Sequence, residues 1–362
     1  METDMKRRHF LASLAAAATV PRLSWADAGS PAFLAAAKAP DGSYAIWGLA
    51  ADGTQIFSQP LPGRGHAATA HPERPEAVAF ARRPGVFALV IDCVTGGLVA
   101  RLTPPEGRQF NGHGAFSGDG TRLYTSEVVA EGSEGRIGIW DVARGYQRVG
   151  EFASNGIGPH EILRLPGQEV LVVANGGIQT DPTDRTPLNI ETMRPNLSYL
   201  SPEGEVLEVV ELEPDLWKNS IRHLSVRSDG RVAFCMQWQG DLMEPVSLLG
   251  LHDRGRKAVL AEPLPGEEFA MKGYAGSVAF GRAGREVAIT SPRGGMVQAY
   301  SAEGEALWSV RRADVCGLGV CAQGGFTATD GAGLVSQITR DGITPFKRSD
   351  VAWDNHLIPI GV

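Results

Sequence analysis

The sequence predicts an all-β chain folded as a seven-bladed β-propeller, of the YVTN or quinoprotein-like architecture, with its two ends joined in the first blade. Three observations predict it. Short β-branched or alternating runs dominate, such as Glu169-Val170-Leu171-Val172-Val173 and Glu286-Val287-Ala288-Ile289-Thr290, and hardly any stretch holds a helical period. Asp-Gly pairs at Asp41-Gly42, Asp52-Gly53, Asp119-Gly120, Asp229-Gly230 and Asp341-Gly342 supply tight turns between the runs. The pattern recurs with a period of about 40–50 residues, the spacing of propeller blades.

The chain opens with an address. Lys6-Arg7-Arg8-His9-Phe10-Leu11 leads into an alanine-rich apolar stretch to Val20 and then Ala26-Asp27-Ala28. Paired arginines followed by Phe-Leu, a short apolar region and an A-x-A site predict a twin-arginine (Tat) signal peptide over residues 1–28, cut after Ala28. The apolar stretch is too short to stay behind as a membrane span. The mature chain, residues 29–362, is therefore expected in the periplasm as a single propeller without a membrane anchor.

The repeat itself can be written out. His113-Gly-Ala-Phe116 leads to Asp119-Gly120 and Leu123-Tyr124, His160-Glu-Ile-Leu163 to Gly167 and Val170-Leu171, and His223-Leu-Ser-Val226 to Asp229-Gly230 and Val232-Ala-Phe234. Each copy reads as an inner strand, a tight turn and the next strand of the blade. Weaker copies start at His66, Ser277 and Gly317. The last, Trp353-Asp354-Asn355-His356, begins the template and then the chain stops. Its missing partner is Phe33-Leu34-Ala35-Ala36, so the final strand is expected to close the first blade and cover a sheet edge. The unit from His160 carries a long insertion between Asn175 and Pro195, an expected functional or mobile segment.

Composition excludes some roles. The net charge is -7, which repels phosphate backbones and argues against a nucleic-acid partner. The four cysteines, Cys93, Cys235, Cys316 and Cys321, form no C-x-x-C, so neither a haem-attachment nor a thioredoxin motif is present. They are expected as buried free thiols, which pack as small apolar groups.

The histidines point to chemistry. His66, His113, His160, His223 and His356 occupy one template position in five blades, whereas His71 and His252 do not. Equivalent residues at the start of inner strands form a ring on the propeller axis, and converging imidazoles are a metal-ligand set. Such a set suits copper, iron, zinc or nickel rather than calcium or magnesium. Copper or iron would support redox work and zinc hydrolysis or structure, and the ligand types do not choose among them. The competing reading is a structural histidine in each blade, as in WD repeats, but Trp140-Asp141 is the single Trp-Asp pair that follows a template histidine within its unit. Neighbours that could serve the ring are Asn111, Asn155, Asn219, Asn355, Arg222, Glu161, Asp354 and Glu127, with Tyr274 and Cys316 in the two blades lacking a histidine.

Several motifs together resemble one family: Arg64-Gly65-His66, Gly112-His113-Gly114, Gly156-Ile157-Gly158-Pro159-His160-Glu161, Ala174-Asn175-Gly176-Gly177, Ser220-Ile221-Arg222-His223, Ser291-Pro292-Arg293-Gly294-Gly295 and Trp353-Asp354-Asn355-His356. It is a proteobacterial family of exported propellers with a domain of unknown function, and the resemblance covers nearly the whole mature chain. Its members are typically encoded beside imelysin-type iron-uptake proteins and a dihaem-peroxidase-like thiol oxidoreductase. The resemblance implies a periplasmic role in iron or copper handling, with an imelysin-like protein or a periplasmic oxidoreductase as partner, and no established activity. The family pattern has a histidine after the position of Thr180, where this chain has Asp181. Two other readings compete. One is a scaffold without tight metal. The other is a lactonase or quinoprotein, against which stand the imidazole ring and seven tryptophans that follow no blade period.

Overall fold

The computed structural model describes residues 23–360. The expected leader thus lies largely outside the described residues. Its last part, residues 23–28, rests on the second blade, where Trp25 Nε1 donates to the His71 carbonyl at 2.9 Å.

Seven antiparallel sheets form the seven blades of a propeller, each an up-and-down meander. No α-helix occurs among the described residues; Ile190–Thr192 and Pro214–Leu216 are single 3-10 turns. The inner strands of blades 2 to 7 are Gly65–Ala70, Arg108–Phe116, Pro159–Arg164, Asn219–Val226, Ser277–Phe280 and Val315–Val320. These match the units read from the sequence.

The first blade closes as expected. Ala352–Trp353 and Ile358–Pro359 both pair antiparallel with Phe33–Lys38, through Ala37↔Trp353 and Phe33↔Pro359. The C-terminal segment thus supplies the inner strand of a sheet whose other strands come from the N-terminal end. Trp353 packs edge-on to Trp47 with ring centroids 5.8 Å apart, within a buried cluster that includes Phe33, Leu49 and Leu357. This apolar clasp holds the ring shut.

Alternation along the strands sends apolar side chains into the spaces between blades. Blade 6 meets blade 7 through Ala288, Val297 and Trp308 against Val315, Phe326 and Ile338. All four cysteines are buried and free, as the sequence predicts.

The two faces of the ring differ by connectivity. Within each blade, the link from second to third strand leaves at the end where the inner strand begins. So does the link arriving from the preceding blade. That face receives the connections at 62–64, 82–87, 176–195, 239–248, 262–276 and 292–295. Every template residue lies near this same face.

Truncating Trp353 to Ala removes one of the two tryptophans of the clasp. It should lower unfolding free energy by about 3–5 kcal/mol, measured by denaturant titration. A loss within about 0.5 kcal/mol would show that the ring closes without it.

Candidate metal centre

The inner strands aim the histidines by breaking register. Blade 2 shifts between Gly65 and Ala68, around His66, and blade 3 between Phe110 and Gly114, around His113. Blade 4 shifts between Pro159 and Ile162, around His160, and blade 5 between Ile221 and His223. In blade 1, His356 lies between the two short pairings of the closing segment. A bulge adds a residue to one strand and swings its side chain off the regular pleat. The inner strand of blade 6, which has Ser277 at the template position, pairs without any shift.

Blade 7 has the bulge without the histidine. Its register shifts between Val315 and Leu318. A Cβ at Gly317 would stand 2.3 Å from Thr329 Oγ1 and 3.2 Å from the Leu357 backbone nitrogen, so His356 and its neighbour fill that place.

The five imidazoles meet on the axis. Ring centroids stand 4.5 Å apart for His223 and His356, 4.6 Å for His160 and His223, 4.7 Å for His66 and His356, and 4.8 Å for His113 and His160. All five side chains are buried. Two triads, His66-His113-His356 and His113-His160-His223, each hold their ligand nitrogens within 4.8 Å of one another. Nitrogens bound to one ion at about 2.0–2.1 Å can stand at most about 4.2 Å apart. Small ring rotations would therefore let either triad hold an ion, and His113 belongs to both.

Hydrogen bonding separates these histidines from the other two. His66 Nδ1, His113 Nε2, His160 Nδ1, His223 Nδ1 and His356 Nε2 are all buried without a partner. By contrast, His71 Nδ1 accepts from the backbone of Glu73 at 3.1 Å and Arg74 at 3.0 Å, and its Nε2 lies 3.1 Å from the Gly120 carbonyl. His252 is bonded at Nδ1 to Tyr199 at 2.7 Å and at Nε2 to the Arg256 carbonyl at 2.9 Å. Buried polar atoms are rarely left unpaired. Five converging rings thus each present a buried nitrogen without hydrogen-bond geometry, that of His223 lying 3.4 Å from Glu161, and such a set could hold a metal ion.

Electrostatics favour the neutral form of four of the rings. Burial first, then the neighbouring imidazoles, hold His66, His160 and His356 well below the ordinary histidine value. Burial also lowers His223, against the opposing pull of Glu161. Neutral imidazole is the form that binds metal.

Glu161 is the one carboxylate within this group. Its Oε1 lies 3.6 Å from His113 Nδ1, its Oε2 lies 3.4 Å from His223 Nδ1, and Oε2 accepts the Leu224 N–H at 2.8 Å. Burial pushes its carboxyl up, yet the two imidazoles beside it hold it well below the usual carboxylate range. A carboxylate facing Nδ1 of His113 and of His223 favours the proton there and leaves Nε2 of each ring as the atom that could ligate.

The remaining candidates go elsewhere. Glu127 is buried in blade 3, where Arg148 donates to it at 2.7 and 2.9 Å and Thr125 at 2.6 Å, so it is a structural ion pair away from the axis. Asp354 pairs with Arg64 at 2.5 Å and Arg82 at 3.5 Å rather than with a histidine. Cys316 is outside both triads, and its Sγ lies against Gly276. Tyr274 lies under the Arg293 guanidinium at 4.3 Å. Asn111 Nδ2 donates to the Pro159 carbonyl at 2.5 Å, tying blade 3 to the residue before His160. Asn155 and Asn219 bond to Ser198 and to the Ser247 carbonyl. Asn355 uses its backbone N–H on Asp354 at 2.8 Å. Asp181 accepts from Thr183 within its own loop and offers no ligand to the axis. Sequence reasoning missed Arg82 and Arg83, which lie in a blade-2 connection with no repeat signal; their only cue is that this connection leaves on the histidine face.

One glycine holds the cluster's spacing. Gly112 has φ +92°, and a Cβ there would stand 2.5 Å from His66 Cδ2. Gly42 has a similar φ of +88° with open space around it. Gly42→Ala should cost roughly 1–2 kcal/mol from backbone strain alone. Gly112→Ala should cost clearly more, because the His66 ring must also move. Equal losses in paired denaturant titrations would mean that His66 is free to shift.

The fold has relatives among solved structures. One, titled Kuenenia stuttgartiensis Hydrazine Synthase, matches with a TM-score of 0.58 at 12% identity, covering 86% of this chain and 94% of that one. A chain of a Mitotic Checkpoint Complex matches with a TM-score of 0.55 at 12% identity over 77% and 78% of the two chains. A structure of U3-55K gives 0.56 at 11% over 80% and 82%. At these identities the likeness concerns the propeller fold alone. No curated protein matches the sequence. The family described as "Protein of unknown function (DUF1513)" matches residues 59–360, a span that includes all five axial histidines, and the chain belongs to that family.

Proposed function

We propose that this protein is an exported, periplasmic metal-binding propeller that holds copper or iron on its axial histidines and acts in metal uptake or redox handling. The observation that carries the reading is the set of five buried, unpartnered ring nitrogens, against two histidines in the same chain with both nitrogens satisfied. Imidazole donors favour copper or iron over hard cations. The Tat-type leader fits export of a chain that is already folded and loaded.

A second reading is a scaffold for a periplasmic partner, such as an imelysin-like iron-uptake protein or an oxidoreductase. One observation favours it. Val86, Leu188, Leu242, Met243 and Phe269 are exposed large apolar side chains, and all lie in connections on the face where the histidines sit. Apolar side chains gathered on one face suit a docking partner. No helix among the described residues is long and apolar enough to cross a membrane.

The test is metal content of the mature protein purified from periplasm. The parent should carry about one equivalent of copper or iron, and His113→Ala, His160→Ala and His223→Ala should lose it while folding, His113→Ala most completely. Glu161→Gln should weaken affinity by about 10–100-fold without abolishing it. Protein that stays metal-free after exposure to both ions would overturn the metal reading, and a complex retained on pull-down would then favour the scaffold. Intact mass of the exported chain should place its first residue at Gly29.

A further inference from the structure

The histidines lie beneath a cluster of arginines. Arg64 is in the link entering blade 2, Arg82 and Arg83 are in the 82–87 connection, and Arg185 is in the blade-4 insertion. Arg222 is the residue at the register break of blade 5, beside His223. By connectivity all five belong to the face where the inner strands begin. They also lie within reach of one another's charge: Arg83 feels Arg222, Arg185 and Arg82, and Arg222 in turn bears on His160 and His223.

Arg64 and Arg82 share Asp354, whereas Arg83 and Arg222 have no carboxylate partner among the described residues. Arg222 is only 7% exposed, and its Nε is buried with no hydrogen-bond partner. Burial pushes its guanidinium down to about 10. Arg83 is half-buried and is pushed down to about 9 by burial and by the three arginines around it. The nearby acids are already engaged. Glu161 faces two imidazoles and the Leu224 N–H, and Asp354 serves Arg64 and Arg82. The insertion's own acids, Asp181 and Asp184, accept from Thr183 and Thr186 in their own turn.

Holding Arg83 and Arg222 partly or wholly desolvated without an anion is costly, and it is unexpected in a chain of net charge -7. The cost is offset when an anion arrives. The planar guanidinium fork matches the two-oxygen edge of a carboxylate or phosphate, and such paired hydrogen bonds are among the strongest available.

We propose that this mouth binds an oxyanion group, a carboxylate or a phosphate, directly over the axial histidines, so that the metal enters and leaves as an anionic complex. The clause about the metal rests on the function proposed above, whereas the anion site stands on the arginines alone.

The test is calorimetric titration of the metal-free, folded protein with citrate and, separately, with inorganic phosphate. At least one should bind saturably at one per chain, and the tighter of the two identifies the source of the oxyanion. Arg83→Gln and Arg222→Gln should each weaken that binding roughly tenfold or more. If Arg222→Gln does not fold, Arg83→Gln, in a surface connection, decides alone. Absence of saturable binding by either anion, to metal-free and metal-loaded protein alike, overturns the proposal, as does binding unaffected in the folded variants. Metal content of the same preparations keeps the two ideas apart. Metal without anion binding removes only this inference. Anion binding by a chain that never takes up copper or iron leaves the anion site standing and removes the metal reading.

Discussion

Everything in this molecule answers to crowding at the axis. Seven sheets converge there, and a regular pleat would send side chains along the blades rather than across the centre. Register breaks in the inner strands resolve the problem. Each inserts a residue and turns one side chain inward. At four of those breaks, and again at His356 between the two pairings of the closing segment, the side chain is an imidazole, and the five rings pack edge-to-face and tilted at centroid separations of 4.5 to 5.6 Å. The axis is thus filled by rings in contact, as an apolar core would be, but with a nitrogen on each ring that an apolar core would lack.

That filling carries an energetic burden. A buried imidazole nitrogen without a partner forfeits a hydrogen bond that water would have supplied. The protein avoids this burden at His71 and His252, where backbone carbonyls, backbone N–H groups and a tyrosine complete both nitrogens. The contrast within one chain rules out a general tolerance of unsatisfied histidines. Glu161 compounds the point, since a carboxylate is brought into the same buried space and turned toward two of the rings. Burial opposes its charge, and the imidazoles sustain it.

The ring also has a direction. On one face, tight turns such as Asp119-Gly120 and Asp229-Gly230 join inner to second strands, and Asp119 and Asp229 accept backbone N–H groups two residues on. On the other face lie the longer connections, the insertion of blade 4, the unpaired arginines and the exposed apolar side chains. Chemistry is gathered where the inner strands begin because that is where the bulges fall. Closure by the C-terminal segment belongs to the same design: His356 reaches the axis only because Trp353 and Pro359 anchor its strand on either side.

The sequence by itself determined the local and the periodic features. Turn chemistry at the Asp-Gly pairs, alternation along the strands and the recurring template made the blade count and the pairing of Trp353 with the first blade legible. One template position made five axial histidines legible. Those features depend on residues close together in the chain or on a repeated spacing. Only the tertiary structure decided which polar groups meet between blades. Glu161 of blade 4 turns to His113 of blade 3 and His223 of blade 5, Glu127 turns away to Arg148, and Asp354 goes to Arg64 and Arg82. Those partnerships depend on the rotation between neighbouring blades and on where each bulge swings its side chain. Neither leaves a mark on local spacing, so residues 290 apart in sequence, such as Arg64 and Asp354, become partners without any signal in the chain.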